Sequence, residues 1–239
     1  MTLDSLRALA DRAALFSALR QDQLATALDE LGEHRWDVDL NAGTLTFTSH
    51  EDPEKQFVAR ASFIASIAPG PRSMMWSWAM PQGDGGGSTD ALRQYGEENG
   101  IPELTMAEVP FPEDTGDDIS EWIADFAHVI GGVTAEITGR SPHYSANAGG
   151  SRAVLLLDAP IPPLTIAAAV PAIPRIISSV EIPDHRTAVW DLARLAGWQL
   201  DWVGDDFGAA QVTDGTSTST IRFDDQARIV GIEGQLGAA

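Results

Sequence analysis

The chain is 239 residues long, with 44% apolar residues, 35 acids against 15 bases and no cysteine. That length and apolar share support one large or two small globular domains with a real core, and the missing cysteine excludes disulfides, zinc-thiolate sites and cysteine nucleophiles. A formal net charge of −20 repels phosphate backbones and anionic membrane surfaces with no Lys/Arg run to reverse it, so neither nucleic acid nor membrane is expected as a partner.

The first segment, MTLDSLRALADRA, carries an acid at position 4 and no long apolar core, unlike a secretory signal. The longest apolar stretches, such as Leu164 to Val170, are too short to span a bilayer. These features fit a soluble cytoplasmic protein. The acidity itself has two readings: solubility, or a surface that captures a basic protein.

From Leu3 to Leu31 apolar residues recur every three to five positions, a helical face ended by Gly32. A break near Gln21 to Gln23 would divide it into two helices. HRWDVDL alternates, Asn41-Ala42-Gly43 turns, and TLTFTS follows, which predicts a hairpin. QFVARASFIASIA places Phe57, Ala59, Ala61, Phe63, Ala65 and Ile67 on one strand face, and MMWSWAM reads as the next strand. After the glycine loop, Ser88-Thr89-Asp90 offers capping oxygens to a helix that Gly100 and Pro102 stop, and LTMAEVPF gives a short strand whose prolines place its end at an edge or in a loop.

In EDTGDDISEWIADFAHVIGG, Asp117 and Asp118 stand at a helix N-terminus, Ile119, Trp122, Ile123, Phe126 and Ile130 form the apolar stripe, and Gly131-Gly132 is the expected end. Strands around VTAEITG and RAVLLLD then complete an N-terminal domain, residues 1–158. The proline-rich stretch after Asp158 reads as a linker. In the second module, residues 164–239, Pro171 and Pro174 limit LTIAAAVPAIPRIISSV to short helical turns. Asp184 caps a helix through HRTAVWDLARLAG, and WQLDWV, GAAQVT, STSTIRF and ARIVGIEG form a meander. The expected class is α+β: antiparallel sheet with flanking helices, plus a smaller helix-and-meander module. Trp36 and Trp198 each follow a helix, enter a strand and precede an aspartate by three residues, a weak sign of internal duplication.

Few motifs suggest chemistry. QGDGGGST lacks the lysine of a P-loop and the third glycine of a dinucleotide fingerprint, and Asp84 would repel phosphate. GGSRA at 149–153 leads into a strand where a nucleophile elbow needs a helix. The five histidines show no HExxH spacing, and the paired acids are better placed as caps and turns than as metal ligands. No catalytic residue, metal or cofactor is implied.

Two constellations remain. Trp76 and Trp78, two apart on the expected strand, would share one sheet face: either they bury area in a core or, in a half-open groove, they form a stacking platform. RSPHYS groups Arg140, His143 and Tyr144 in a proline-marked loop, as an ordinary turn or as polar ligand anchors, with His128 a weaker candidate.

MMWSWAM, ALRQYGEENGIPELT, the helix ending in ADFAHVIGG, the His-Tyr loop and the VLLLD strand together resemble a bacterial domain family of unknown function. That family is common in actinobacteria and bears a Trp-x-Trp-Ala strand and a Gly-Glu-Glu element. The resemblance covers roughly residues 25 to 160 and extends loosely to FDDQARIVGI; Met80 departs from it, standing where a polar residue often follows Trp-Ala. It implies an α+β fold and a domain boundary, and supplies no catalytic residue. The expected function is a non-catalytic binding protein whose acidic surface takes a basic protein partner, as immunity proteins do. The alternative is a small-molecule-binding protein or unidentified enzyme with a pocket against Trp76 and Trp78. Assembly as a homo-oligomer is compatible with either.

Overall fold

A computed structural model describes residues 2–80, 87–116 and 118–235. The glycine loop from Gln82 to Gly86, and Asp117, lie outside the described residues. The fold is mixed α+β with two antiparallel sheets. The chain divides into two compact units, one of residues up to 10 with 23–161, the other of residues 11–22 with the chain from 162 onward. Helix α1 (Asp4–Asp29) therefore belongs in part to each. It is continuous through Gln21 to Gln23, where a break was expected. No breaker stands there, and one glutamine pair does not offset a run of good helix formers.

The first unit holds β1 (His34–Asp39), β2 (Thr44–Ser49), β3 (Gln56–Ala68), β4 (Ser73–Trp76), α2 (Ser88–Asn99), α3 (Pro102–Thr105), β5 (Glu108–Pro110), α4 (Ile119–Thr138), β6 (His143–Ala148) and β7 (Ser151–Asp158). The order β1-β2-β3-β4-β5 is joined at β3 by β7, which also carries β6. The hairpin of β1 and β2 and the long β3 lie where alternation places them. The single apolar face expected of β3 does not survive. Between Phe63 and Ala65 the register against β7 slips by one residue, and one extra residue reverses which side chains face which way. Phe57, Ala59, Ala61 and Phe63 pack with Leu45, Phe47, Leu155 and Leu157, whereas Ile64, Ala65 and Ile67 join Met74, Trp76, Phe126, Ile130, Val154 and Leu156. The run from Val154 to Leu157 is apolar throughout because alternate residues feed two cores.

Helix α4 corrects the sequence reading most. It passes through Gly131-Gly132 to Thr138, taking in VTAEIT, which alternation suggested as a strand, and ends at Gly139 with φ +68°. The two glycines are there for close approach. A Cβ on Gly131 would run into the His143 imidazole, and one on Gly132 would sit 3.0 Å from the Ala10 Cβ. Asp118 starts the helix, its carboxylate accepting the backbone N–H groups of Ser120 and Glu121.

The second unit holds residues 11–22 of α1, α5 (Ile166–Ser179), α6 (His185–Ala196), and a meander of β8 (Gln199–Val203), β9 (Ala209–Thr213), β10 (Thr218–Phe223) and β11 (Ile229–Gln235) in that spatial order. α6 and the meander follow the expected pattern, with Asp184 capping α6 through the N–H groups of Arg186 and Thr187. α5 does not. It runs for 14 residues through Pro171 and Pro174, although each removes a backbone donor. Both prolines are exposed, while Ile166, Ala169, Ile173 and Ile176 form the buried stripe that holds the segment helical. Asp214 fixes its start: the carboxylate accepts from Ile166 N at 2.8 Å and from Ser217 N and Thr216 N in the β9–β10 turn. Among the described residues no helix is long and apolar enough to cross a membrane.

Candidate functional site

Of the two readings open for Trp76 and Trp78, core burial or a stacking platform, the described residues favour burial. β4 ends at Trp76, and Ser77–Ala79 is a 3-10 turn that advances about 120° per residue where a strand advances 180°. The two rings therefore leave in different directions. Trp76 is wholly buried, its indole N–H donating to the Glu103 carbonyl at 2.8 Å. Trp78 is half-buried at the edge of the same core, with the Arg93 guanidinium 4.9 Å above its ring, and its enclosed indole N–H has no acceptor among the described residues.

The polar loop also comes apart. His143 and Tyr144 are neighbours on β6, so their side chains point to opposite faces. Tyr144 packs edge to face on Phe47 at 5.1 Å and Trp36 at 6.0 Å, and burial raises its hydroxyl pKa, with the Arg152 charge opposing. Arg140 turns to α2 and donates to Ser88 Oγ at 2.8 Å. His143 goes the other way, beneath α4, and meets His128: Nδ1 of His128 lies 3.0 Å from Nε2 of His143. Of the six residues singled out, only these two histidines come together.

That bond requires one ring to donate and the other to accept, so the pair cannot carry two protons on the shared atoms. His143 is sealed, and burial, with the His128 charge adding to it, brings its pKa down to about 3. His128 is exposed on α4, and its pKa is lowered by partial burial and by Arg152, with Asp125 opposing. Both rings are neutral at pH 7. Among the described residues no three His, Asp or Glu side chains are grouped to hold a metal.

The surface around α2 and α4 has a feature that local motifs do not reveal. No lysine or arginine stands between Arg93 and Arg140, while Glu97, Glu98, Glu108, Glu113, Asp114, Asp118, Glu121 and Asp125 are all exposed. Glu97 is met by Arg93 at 3.1 Å. Asp118 is held as the α4 cap, and Glu108 accepts from Ser73 Oγ at 2.5 Å. The signal was present in the sequence as a base-free stretch rather than as a motif.

The second unit has a concave site of its own that sequence reasoning missed. A cleft of about 280 Å³ is lined by Asp184, Arg186, Thr187, Trp190, Trp202 and Phe207. Arg186, Thr187 and Trp190 lie at helical spacing on α6, off the buried stripe of His185, Ala188, Val189, Leu192 and Ala193. A tryptophan outside the apolar stripe was the sequence signal. Trp202 on β8 stands edge to face with Phe207 at 5.3 Å, and Phe207, half exposed, sits at φ +56°.

The comparisons bear mainly on the first unit. No curated protein and no solved structure matches the chain. One family does match, over residues 7–160, a stretch that contains the buried Trp76, the histidine pair and the whole base-free segment. On that match the chain belongs to DUF6882, a family of unknown function.

Proposed function

We propose that the chain is a non-catalytic binding protein of the bacterial cytoplasm that captures a basic protein partner on the acidic surface of its first unit, as immunity proteins capture toxins. The observation that carries this reading is the exposed carboxylate run on α2, β5 and the start of α4, in which eight exposed acids outnumber the arginines that reach it, Arg93 beside Glu97 and Arg72 beside Thr115. A surface with a strong excess of one sign raises the rate of encounter with an oppositely charged protein and repels competitors of its own sign. The histidine pair does not favour catalysis, because its inner ring is sealed beneath α4 and only His128 reaches the surface.

The test is capture of the partner from host cells by the full chain, followed by association kinetics. Between about 50 and 500 mM salt the association rate is expected to fall at least roughly tenfold, since screening shortens the reach of surface charge. The variant with Glu98, Glu113, Glu121 and Asp125 all changed to the amides should lose most of that rate at low salt. Changing Asp39, Glu51, Asp52 and Glu54 in the same way should leave it nearly intact. A rate indifferent to salt, or equal losses in the two variants, removes this surface from the function.

A further inference from the structure

We propose that the cleft of the second unit binds a neutral pyranose, the six-membered ring of a sugar, stacked on Trp190, Trp202 and Phe207 with its hydroxyls on Asp184, Arg186 and Thr187. The walls are divided by chemistry. Three aromatic side chains supply apolar faces, while the first turn of α6 supplies a carboxylate, a guanidinium and a hydroxyl side by side. A ligand that satisfies both parts needs an apolar face and a polar edge. A pyranose has both, since its axial C–H groups form patches that stack on indole and its hydroxyls donate and accept around the rim.

Charge removes the competing chemistries. Asp184 and Arg186 have opposite charge within the same turn, so the lining selects neither an anion nor a cation. An anion would also face the overall charge of −20. A cation would meet Arg186, and Trp190 already has the Arg194 guanidinium 5.7 Å above its ring. A wholly apolar ligand would strip water from three polar side chains and return no hydrogen bonds. Capacity for hydroxyls remains: Asp184 Oδ1 is taken by the Arg186 and Thr187 N–H groups of the cap, but Oδ2 accepts only the Thr187 hydroxyl, Thr187 Oγ1 keeps its lone pairs, and Arg186 is anchored by one N–H on the Asp224 carbonyl.

Phe207 strengthens the assignment. Its φ of +56° lies in the left-handed region that glycine and asparagine enter far more readily than a bulky aromatic, and half of the residue remains exposed. Neither the backbone nor burial favours phenylalanine there, whereas a ligand wall does. The volume, about 280 Å³, is near the small end for ligand sites and suits one sugar ring with part of a second.

The experiment titrates the full chain with glucose, galactose, mannose, N-acetylglucosamine, maltose and cellobiose. Tryptophan emission and saturation-transfer NMR provide the readouts, with choline and benzoate as cation and anion controls. At least one sugar should saturate in roughly the millimolar range, as befits few contacts in an open cleft. The Phe207→Gly and Trp190→Ala variants should each weaken that sugar about tenfold while folding cooperatively as the parent does, because both residues are about half exposed. No saturation by any of the six sugars overturns the proposal. So does binding that both variants leave unchanged, or tighter binding of choline or benzoate that the same variants abolish.

Discussion

Two pairs of tryptophans divide the molecule between a sealed region and an open one. Trp76 and Trp78 stand in the most aromatic stretch of the chain, yet Trp76 has no exposure and Trp78 closes the edge of the same core. Trp190 and Trp202 are twelve positions apart in sequence, on a helix and a strand, and they line a cleft. Aromatic density along a chain reports how much apolar area is present. Whether that area meets water depends on what packs against it. Around Trp76 the strands β3 and β7 and the helices α2 and α4 all contribute apolar side chains. On α6 the core side of the helix is filled by Ala188, Val189, Leu192 and Ala193, which leaves Trp190 outside.

Truncation gives the largest separation between the two regions. Trp76→Ala removes a fully enclosed side chain and its hydrogen bond to the Glu103 carbonyl, and should cost about 3–5 kcal/mol in urea unfolding. Trp190→Ala, on a residue 42% exposed, should cost clearly less, about 1–2 kcal/mol. Equal losses would break the distinction between sealed and open.

Acid probes the sealed region next. His143 is neutral in the folded protein down to a pKa of about 3, whereas in the unfolded chain it titrates near its ordinary value of about 6.5. Below that value the unfolded state binds the extra proton, so its stabilising effect is complete above about pH 6.5 and is lost as pH falls toward the folded pKa. Between pH 6.5 and 4 the loss should reach about 3 kcal/mol, and His143→Gln should flatten that part of the profile. Asp214 gives a lower window in the second unit. Burial alone would raise its carboxyl, but the hydrogen bonds from Ile166, Ser217 and Thr216 outweigh that and hold it at about 2. Its contribution persists above the ordinary carboxylate range and fades only as pH drops toward 2. A profile without the upper step would place His143 in contact with water.

The regular parts of this fold were legible because local chemistry and tertiary structure agree there. The β1–β2 hairpin, the meander, the Asp184 cap of α6 and the Gly100 stop of α2 all follow from alternation, turn residues and capping oxygens. Misreadings occurred where distant residues override the local rule. Gly131-Gly132 looked like a helix end, and only the His143 ring and Ala10 show why glycine is needed inside α4. Pro171 and Pro174 looked like breakers, and only the burial of the opposite stripe keeps α5 intact. The β3 bulge, which divides one expected face between two cores, has no local marker at all. The same holds for the site. His128 and His143 were both named from the sequence, but their meeting depends on β6 lying beneath α4, and Tyr144 follows the strand alternation to the other face.

Smaller perturbations sharpen the contrast. Gly131→Ala places a methyl group against the His143 ring, and because helix and strand are both fixed there the cost should be about 1–3 kcal/mol despite the better helix propensity of alanine. Retention of full stability would mean that His143 can move away from α4.

The smallest effect belongs to the open region, where one gain is nearly cancelled by two losses. In Phe207→Gly the left-handed backbone at φ +56° is relieved by roughly 1 kcal/mol. Glycine gives back about 0.5–1 kcal/mol through its larger unfolded-state freedom, and the edge-to-face contact with Trp202 at 5.3 Å contributes a similar amount at most. The unfolding free energy should therefore stay within about 1 kcal/mol of the parent's, while Trp202, uncovered on that side, emits further to the red and is quenched more by acrylamide. A large loss of stability would show that Phe207 is a packing residue, and the cleft it lines would then belong with the sealed core around Trp76.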